Sequence, residues 1–293
     1  MRRRARLLAV VLLVLALAPG PYACGQAPRP DTTGQPPLPA ASGRSLIAAH
    51  RGGAALWPEN SLLAFRNALA LGVDALEFDL HLTRDGEVVV IHDPRLDRTT
   101  TLTGAVRDRT LAEIRSAVLK GRDGQPTTER VPTLAEVLDL ARGTAVEVLP
   151  EIKVGEGGSA YPDIEQKILA LLRARDLLKR ATIQAFQPET LRRVLAQQPS
   201  ARTMLLVSRR RVQDEGVAPP EAVRWAREVG ATDIGMDFRL ISGGVVNAAR
   251  TLGIRLSAWT VNDEAEMARM FDLGVDVVMS DHPDVATHRR GGR

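Results

Sequence analysis

Leu76-Glu77-Phe78-Asp79-Leu80-His81-Leu82-Thr83-Arg84-Asp85-Gly86-Glu87-Val88-Val89-Val90-Ile91-His92 decides how this chain is counted into strands. Two β-rich runs, Leu76–His81 and Val88–His92, are separated by very few residues. Adjacent parallel strands need a crossover of roughly a dozen residues. The second run must therefore return antiparallel, and Asp85-Gly86 is a strong hairpin signal. If Asp85-Gly86 is a two-residue loop, Arg84 pairs with Glu87 and His92 falls opposite Asp79. A three-residue loop would turn His92 to the other face.

Outward from this hairpin, seven more runs alternate with helical patterns: Leu46–His50, Ala145–Lys153, Thr182–Phe186, Thr203–Val207, Asp233–Asp237, Leu256–Val261 and Val277–Ser280. Several are apolar on both faces, as buried parallel strands are. Setting the hairpin strand aside leaves eight parallel strands within residues 45–288. That predicts an α/β fold, a (β/α)8 TIM barrel with an antiparallel hairpin strand after strand 2. A doubly wound open sheet is the alternative, but no Gly-x-Gly-x-x-Gly follows the first strand. Helix patterns include Ser61–Leu71, Thr133–Arg142, Asp163–Leu178 and Glu264–Leu273. Thr110-Leu-Ala-Glu113 and Thr133-Leu-Ala-Glu136 read as capping boxes. Gly72, Gly253, Gly274 and, more loosely, Gly230 each stand between a helix end and the next strand, where positive φ is needed.

In such a barrel function gathers at the C-terminal strand ends. There the sequence places His50-Arg51, Glu77-Phe78-Asp79, Glu151-Ile152-Lys153, Gln184, Asp237, Trp259-Thr260 and Ser280-Asp281. Glu77 and Asp79 are two apart on a strand and share a face. Converging carboxylates need a shared proton or a cation. With Glu151 they make an all-oxygen set suited to a hard divalent cation, Mg²⁺ or Ca²⁺. The alternative is that these acids pair with Arg51 and Lys153 and hold no metal. His50 and His92 beside such a cluster are candidates for proton transfer; His81 is a weaker one, and His282 at most a supporting residue. Asp93–Arg130 is long enough for a lid or specificity loop.

These residues resemble a known family. His50-Arg51-Gly52, Pro58-Glu59-Asn60-Ser61, Glu77-Phe78-Asp79, Leu82-Thr83-Arg84-Asp85-Gly86 and Val90-Ile91-His92-Asp93 look like glycerophosphodiester phosphodiesterases. So do Asp97-Arg98-Thr99-Thr100, Val131-Pro132-Thr133-Leu134, Glu151-Ile152-Lys153, Trp259-Thr260-Val261-Asn262 and Ser280-Asp281-His282-Pro283. A string of spaced motifs in order is far more specific than any one of them. The resemblance implies a TIM barrel with a divalent ion held by Glu77, Asp79 and Glu151. It implies His50 and His92 as the acid/base pair, Arg51 and Lys153 as phosphate contacts, and Asn60 and Trp259 lining the pocket. Ala185-Phe186 departs from the Ser-Phe usual in the family. The implied reaction releases sn-glycerol 3-phosphate and an alcohol from small glycerophosphodiesters. A phospholipase-type enzyme acting on lipid or cell-wall glycerophosphate polymer is a second reading. A non-catalytic phosphodiester-binding lipoprotein is a third, and two proton-transfer groups argue against it.

Charge and cysteine content bound the rest. The chain has 39 basic and 35 acidic residues. Residues 1–23 hold four arginines and no acid, so the remainder is balanced and nothing argues for nucleic acid. Arg2-Arg3-Arg4-Ala5-Arg6 followed by the apolar run Leu7–Ala18 predicts a signal peptide over residues 1–23. The lone Cys24 excludes an intrachain disulfide, and its place after Ala23 resembles a lipid-attachment site that would tether the protein to a membrane. Residues 24–44, with five prolines, read as a linker. The expected location is outside the cell membrane, secreted or attached; oligomeric state is left open.

Overall fold

The computed structural model describes residues 43–291. The expected signal peptide, Cys24 and all but the end of the expected linker lie outside the described residues. Nine strands are found among those described: β1 (Leu46–Ala49), β2 (Ala75–Leu82), β3 (Val88–Val90), β4 (Glu147–Ile152), β5 (Thr182–Ala185), β6 (Arg202–Val207), β7 (Asp233–Asp237), β8 (Arg255–Trp259) and β9 (Val277–Ser280). Eight are parallel and close on themselves, because β1 pairs with β2 through Ala48↔Ala75 and with β9 through Leu46↔Val277. This is the TIM barrel expected, with β3 antiparallel outside it. The reason lies in strand length. β2 has eight residues and β1 has four, so β2 outruns its neighbour. β3 takes the vacated edge at Leu80–Leu82, while Leu80 still pairs with Ile152 of β4 on the other side.

The hairpin loop differs from the two-residue turn. Pairing runs Leu80↔Val90 and Leu82↔Val88, and Thr83 N donates to Glu87 O at 3.0 Å. The loop is therefore Arg84-Asp85-Gly86, with Gly86 at φ +83°. Arg84 N is committed elsewhere, to Arg109 O at 2.8 Å. Asp85 accepts from Thr83 Oγ1 at 2.6 Å and from Leu111 N at 3.0 Å, which ties the turn to a neighbouring helix end. Ile91, not His92, consequently lies beside Asp79, with Ile91 N donating to Asp79 O at 3.0 Å.

Alternation along β2 builds both layers. Leu76, Phe78 and Leu80 join the outer core beneath the helices, while Ala75, Glu77 and Asp79 share the opposite, interior face. All eight residues of β2 are buried. Outside, the helix Leu134–Arg142 buries Leu134, Val137, Leu138 and Ala141, an i, i+3, i+4, i+7 stripe. Both predicted capping boxes form, at Thr110/Glu113 and Thr133/Glu136. Gly72, Gly230, Gly253 and Gly274 all adopt positive φ at the corners expected of them. Residues 93–130 are packed on a small core of their own: Val89, Ile91, Leu96, Val106, Ile114, Leu119 and Val131. No helix of the described residues is long and apolar enough to cross a membrane.

Candidate active site

Glu77, Asp79 and Glu151 meet at the C-terminal mouth of the barrel, with one oxygen of each within 4.8 Å of the others. All three are buried. The register Asp79↔Glu151 places two of them side by side on adjacent strands. Burial and the charge of Asp79 push Glu77 up to about 8. Burial also opposes ionisation of Asp79, but Lys153 and Arg51 outweigh it and hold that carboxyl well below its usual range. Glu151 is raised, chiefly by burial. Asp79 Oδ1 is buried and accepts no hydrogen bond. An orphaned carboxylate oxygen inside an acid triad fits the donor set of a hard divalent ion. These three residues can hold one.

Two cations share the site. Lys153 Nζ lies 2.8 Å from Glu151 Oε1 and 3.4 Å from Asp79 Oδ1. Arg51 Nε is 3.3 Å from Asp79 Oδ2, and Arg51 Nη1 donates to Glu59 Oε1 at 3.2 Å. Arg51 sits in the turn His50–Gly52 at φ +52°, a strained position for a side-chain-bearing residue. The turn is pressed onto the helix Leu62–Ala70, where a Cβ on Gly52 would lie 2.8 Å from Ala64 Cβ. Glycine is needed there twice over, for space and for φ +79°. The same turn points Arg51 N at Glu77 Oε2, 2.9 Å away. Asn60 is buried behind Asp79 and donates to its Oδ2 at 2.9 Å, rather than forming pocket wall.

His50 and His92 both line the pocket that opens over this cluster. Each has its Nδ1 2.6 Å from a carboxylate oxygen: His50 on Asp281 and His92 on Asp93. A carboxylate only accepts, so Nδ1 carries the proton and Nε2 is left for the pocket. His50 Nε2 is 3.9 Å from Glu77 Oε2. Burial lowers the His50 imidazole, but Glu77 and Asp281 outweigh it and the net shift is upward. His92 is shifted down, mainly by burial. His92 reaches the pocket although the hairpin register does not bring it there. The chain bends after Val90, and His81 Nε2 donates to His92 O at 3.0 Å. That bond requires the proton on Nε2, so His81 Nδ1 accepts from Tyr161 Oη at 2.7 Å. Burial keeps His81 neutral, down at about 4.

The remaining wall is mostly apolar, with Phe186, Leu206, Trp259 and Met279 beside Thr260, around an empty volume of about 410 Å³ that includes open solvent. Phe186 and Trp259 pack edge to face at 5.5 Å. Gln184 donates to Glu77 Oε1 at 3.0 Å. His282 is not among the pocket residues. Asp281, Asp93 and Gln184 stood in the sequence at the right strand ends or motifs but without an assigned role. A histidine next to an aspartate in sequence could have signalled Asp93. Nothing local could have signalled Asp281, which is 231 residues from His50.

The arrangement can neutralise an anion and move two protons beside it. Residues 50–285 match the family described as glycerophosphoryl diester phosphodiesterase. The chain belongs to this family. Its members are phosphoric diester hydrolases, and this chain is one by membership. It is 34% identical over 251 residues to a glycerophosphodiester phosphodiesterase of Caldanaerobacter subterraneus subsp. tengcongensis, covering 85% of this chain and 99% of that one. Its fold is similar to the crystal structure of a putative glycerophosphoryl diester phosphodiesterase from Agrobacterium tumefaciens, at TM-score 0.78 and 29% identity, with 85% of this chain and 98% of that one covered. It also matches the fold of an Oleispira antarctica phosphodiesterase solved in complex with the product sn-glycerol-3-phosphate, at TM-score 0.68 and 23% identity, covering 84% and 96%.

Proposed function

We propose that this hydrolase cleaves small glycerophosphodiesters to sn-glycerol 3-phosphate and an alcohol, with Mg²⁺ or Ca²⁺ held by Glu77, Asp79 and Glu151. The supporting observation is the pairing of two carboxylate-anchored histidines with one buried acid triad in a single pocket. The Oleispira antarctica relative, with sn-glycerol-3-phosphate bound, supports the product.

When bound, the divalent ion would supply positive charge to a phosphodiester anion that otherwise repels a nucleophile. Arg51 and Lys153 add to that charge from the chain itself, and Trp259 closes the apolar side against water. His50, beside Arg51, takes the proton of the nucleophile at Nε2, and His92 gives a proton from Nε2 to the leaving alkoxide. Asp281 and Asp93 keep each Nε2 aimed inward throughout. The shifts by themselves run against this assignment, since burial lowers His50 but Glu77 and Asp281 together raise it further, while burial lowers His92. The assignment rests on position, with His50 next to Arg51 where the phosphate is expected.

The test is turnover of glycerophosphocholine by purified protein with Mg²⁺ or Ca²⁺. The expected result is release of sn-glycerol 3-phosphate that chelation abolishes and added ion restores. Full activity in a metal-free preparation would exclude the ion. Cleavage of lipid but not of the small diester would move the substrate class, and binding without turnover would leave a phosphodiester-binding protein. Export rests on the leader sequence alone. Incorporation of a lipid precursor that is lost in Cys24→Ala would establish a tether, and none in the parent would leave simple secretion.

A further inference from the structure

Arg98 stands beside the mouth and is not among the residues that line the pocket. Arg98 Nε and Nη2 donate to the two oxygens of Asp93 at 2.6 and 3.1 Å. Its Nη1 and Nη2 donate to the two oxygens of Glu59 at 2.8 and 2.9 Å. Asp93 holds His92 Nδ1, and Glu59 holds Arg51 Nη1. One planar guanidinium thus stands between the anchor of a histidine and the anchor of an arginine. An unbroken chain runs His92–Asp93–Arg98–Glu59–Arg51–Asp79.

We infer that Arg98 is a positioning residue that sets His92 and Arg51 together through Asp93 and Glu59. The inference rests on the hydrolase reading above. Only a guanidinium can serve both carboxylates at once, since it offers two parallel pairs of donors on two edges of one plane, Nε/Nη2 to Asp93 and Nη1/Nη2 to Glu59. Without it two carboxylates would face each other with no cation between them. Arg98 is what draws Glu59 and Asp93 below their ordinary range against burial, which raises both. Isolated exposed ion pairs contribute little, but a bidentate network on a fixed backbone is the exception. The backbone is fixed here. Leu96 is fully buried in the small core, and Thr100 N and Oγ1 both donate to Leu96 O, at 3.0 and 2.9 Å. Thr99 O accepts from Lys120 N at 2.8 Å. The Asp97-Arg98-Thr99-Thr100 motif therefore has a physical rationale, in that the Thr100 hydroxyl and the Thr99 carbonyl pin the turn and the turn presents Arg98.

Two routes leave Arg98, so its removal should leave two separable marks. Arg98→Ala should lower kcat on glycerophosphocholine by about 10²-fold, the cost typical of slight misplacement of a reacting group. It should also raise KM, through Glu59 and Arg51. Asp93→Asn should reproduce the kcat component alone, and Glu59→Gln the KM component alone. On a 4-nitrophenyl phosphodiester the kcat loss in Arg98→Ala should follow that of His92→Ala, whichever way that moves. In a His92→Ala background, removing Arg98 should cost less in kcat than in the parent. Arg98→Lys should recover part of the loss, and millimolar guanidinium should rescue Arg98→Ala. A variant that loses kcat equally with and without His92, or that guanidinium does not rescue while the fold melts normally, overturns the inference. If Arg98→Ala does not fold, Asp93→Asn and Glu59→Gln decide it, and failure of their kcat and KM effects to separate overturns it. An active parent with either failure sinks this inference alone; an inactive parent sinks the hydrolase reading and this one with it.

Discussion

At the N-terminal ends of the strands, buried Asp233, Arg202 and Arg255 form a second charge cluster with half-buried Glu147. Arg255 Nη1 lies 2.8 Å from Glu147 Oε2, Arg202 Nη2 donates to Asp233 Oδ1 at 3.2 Å, and Thr232 Oγ1 donates to Asp233 Oδ2 at 2.6 Å. Two acids meet two guanidiniums, and every carboxylate oxygen has a partner. The mouth is built otherwise. Three acids, Glu77, Asp79 and Glu151, share two permanent cations, Arg51 and Lys153, and Asp79 Oδ1 has Lys153 Nζ at 3.4 Å but no hydrogen bond. Both clusters are largely buried, so burial does not tell them apart. Charge balance does: the floor is neutral within itself and holds the barrel together, while the mouth carries an excess of acid that calls for a cation from outside.

The sharpest break between the two ends should come from the histidines. His50→Ala and His92→Ala should each lose about 10²–10⁴-fold in kcat on glycerophosphocholine, the usual worth of one proton transfer, with little change in melting temperature. A nitrophenyl diester needs no leaving-group proton, so His92→Ala should be largely rescued on it and His50→Ala should not. Rescue of His50→Ala instead would reverse the two roles.

The floor should give the opposite signature. Arg255→Ala leaves buried Asp233 and half-buried Glu147 short of a cation, and breaking a buried pair from one side costs about 3–5 kcal/mol. Denaturant unfolding should show that loss, while KM of the folded fraction stays at the parent value. A large kcat effect without a stability effect would erase the distinction between floor and mouth.

A third comparison uses pH. Burial and the charge of Asp79 push Glu77 up to about 8, above its ordinary 4.5. A raised folded pKa gives stability that is fully present below 4.5 and is lost as pH rises through 8. The metal-free protein should therefore weaken across that window, most cleanly above pH 6.5, where the opposing contributions of His81 and His92, both lowered by burial, fade. Glu77→Gln should flatten the slope, and a divalent ion should restore stability to the parent but less to the variant. A parent whose ion-free stability rises from pH 6.5 to 8 would refute the acid excess at the mouth.

The smallest effect belongs to neither cluster. Thr133→Ala removes a capping box on the outer helix layer and should cost about 1 kcal/mol. Turnover should be untouched; a change in KM would mean that the outer layer reaches the mouth.

Much of this architecture was written locally. Thr110 and Thr133 cap their helices because the bonded partner is three residues away. Gly253 and Gly274 end helices with positive φ because the next strand must turn back at once. Glu77 and Asp79 share a face because a strand has period two. Each is a property of a few neighbouring residues, and the order of these elements suffices for eight parallel strands and one returning hairpin strand.

What only the tertiary structure decided begins where partners are distant. The turn at Asp85-Gly86 was legible, but its length was not. Leu111 N and Arg109 O draw its groups into a three-residue loop, and neither is adjacent in sequence. That shift removes His92 from the register that would have aimed it. His81 and Tyr161, 80 residues apart, support the bend that brings it back. Asp281 meets His50 because barrel closure sets β9 beside β1. The sequence alone determined which residue types stand at the mouth, since strand ends and periodicity are local. Closure of the barrel determined that Asp281 holds His50, and the packing of residues 93–130 determined that Arg98 joins Asp93 to Glu59, because those partners come from different strands and loops that meet only in the folded chain; the His92–Asp93 pair, by contrast, is adjacent in sequence.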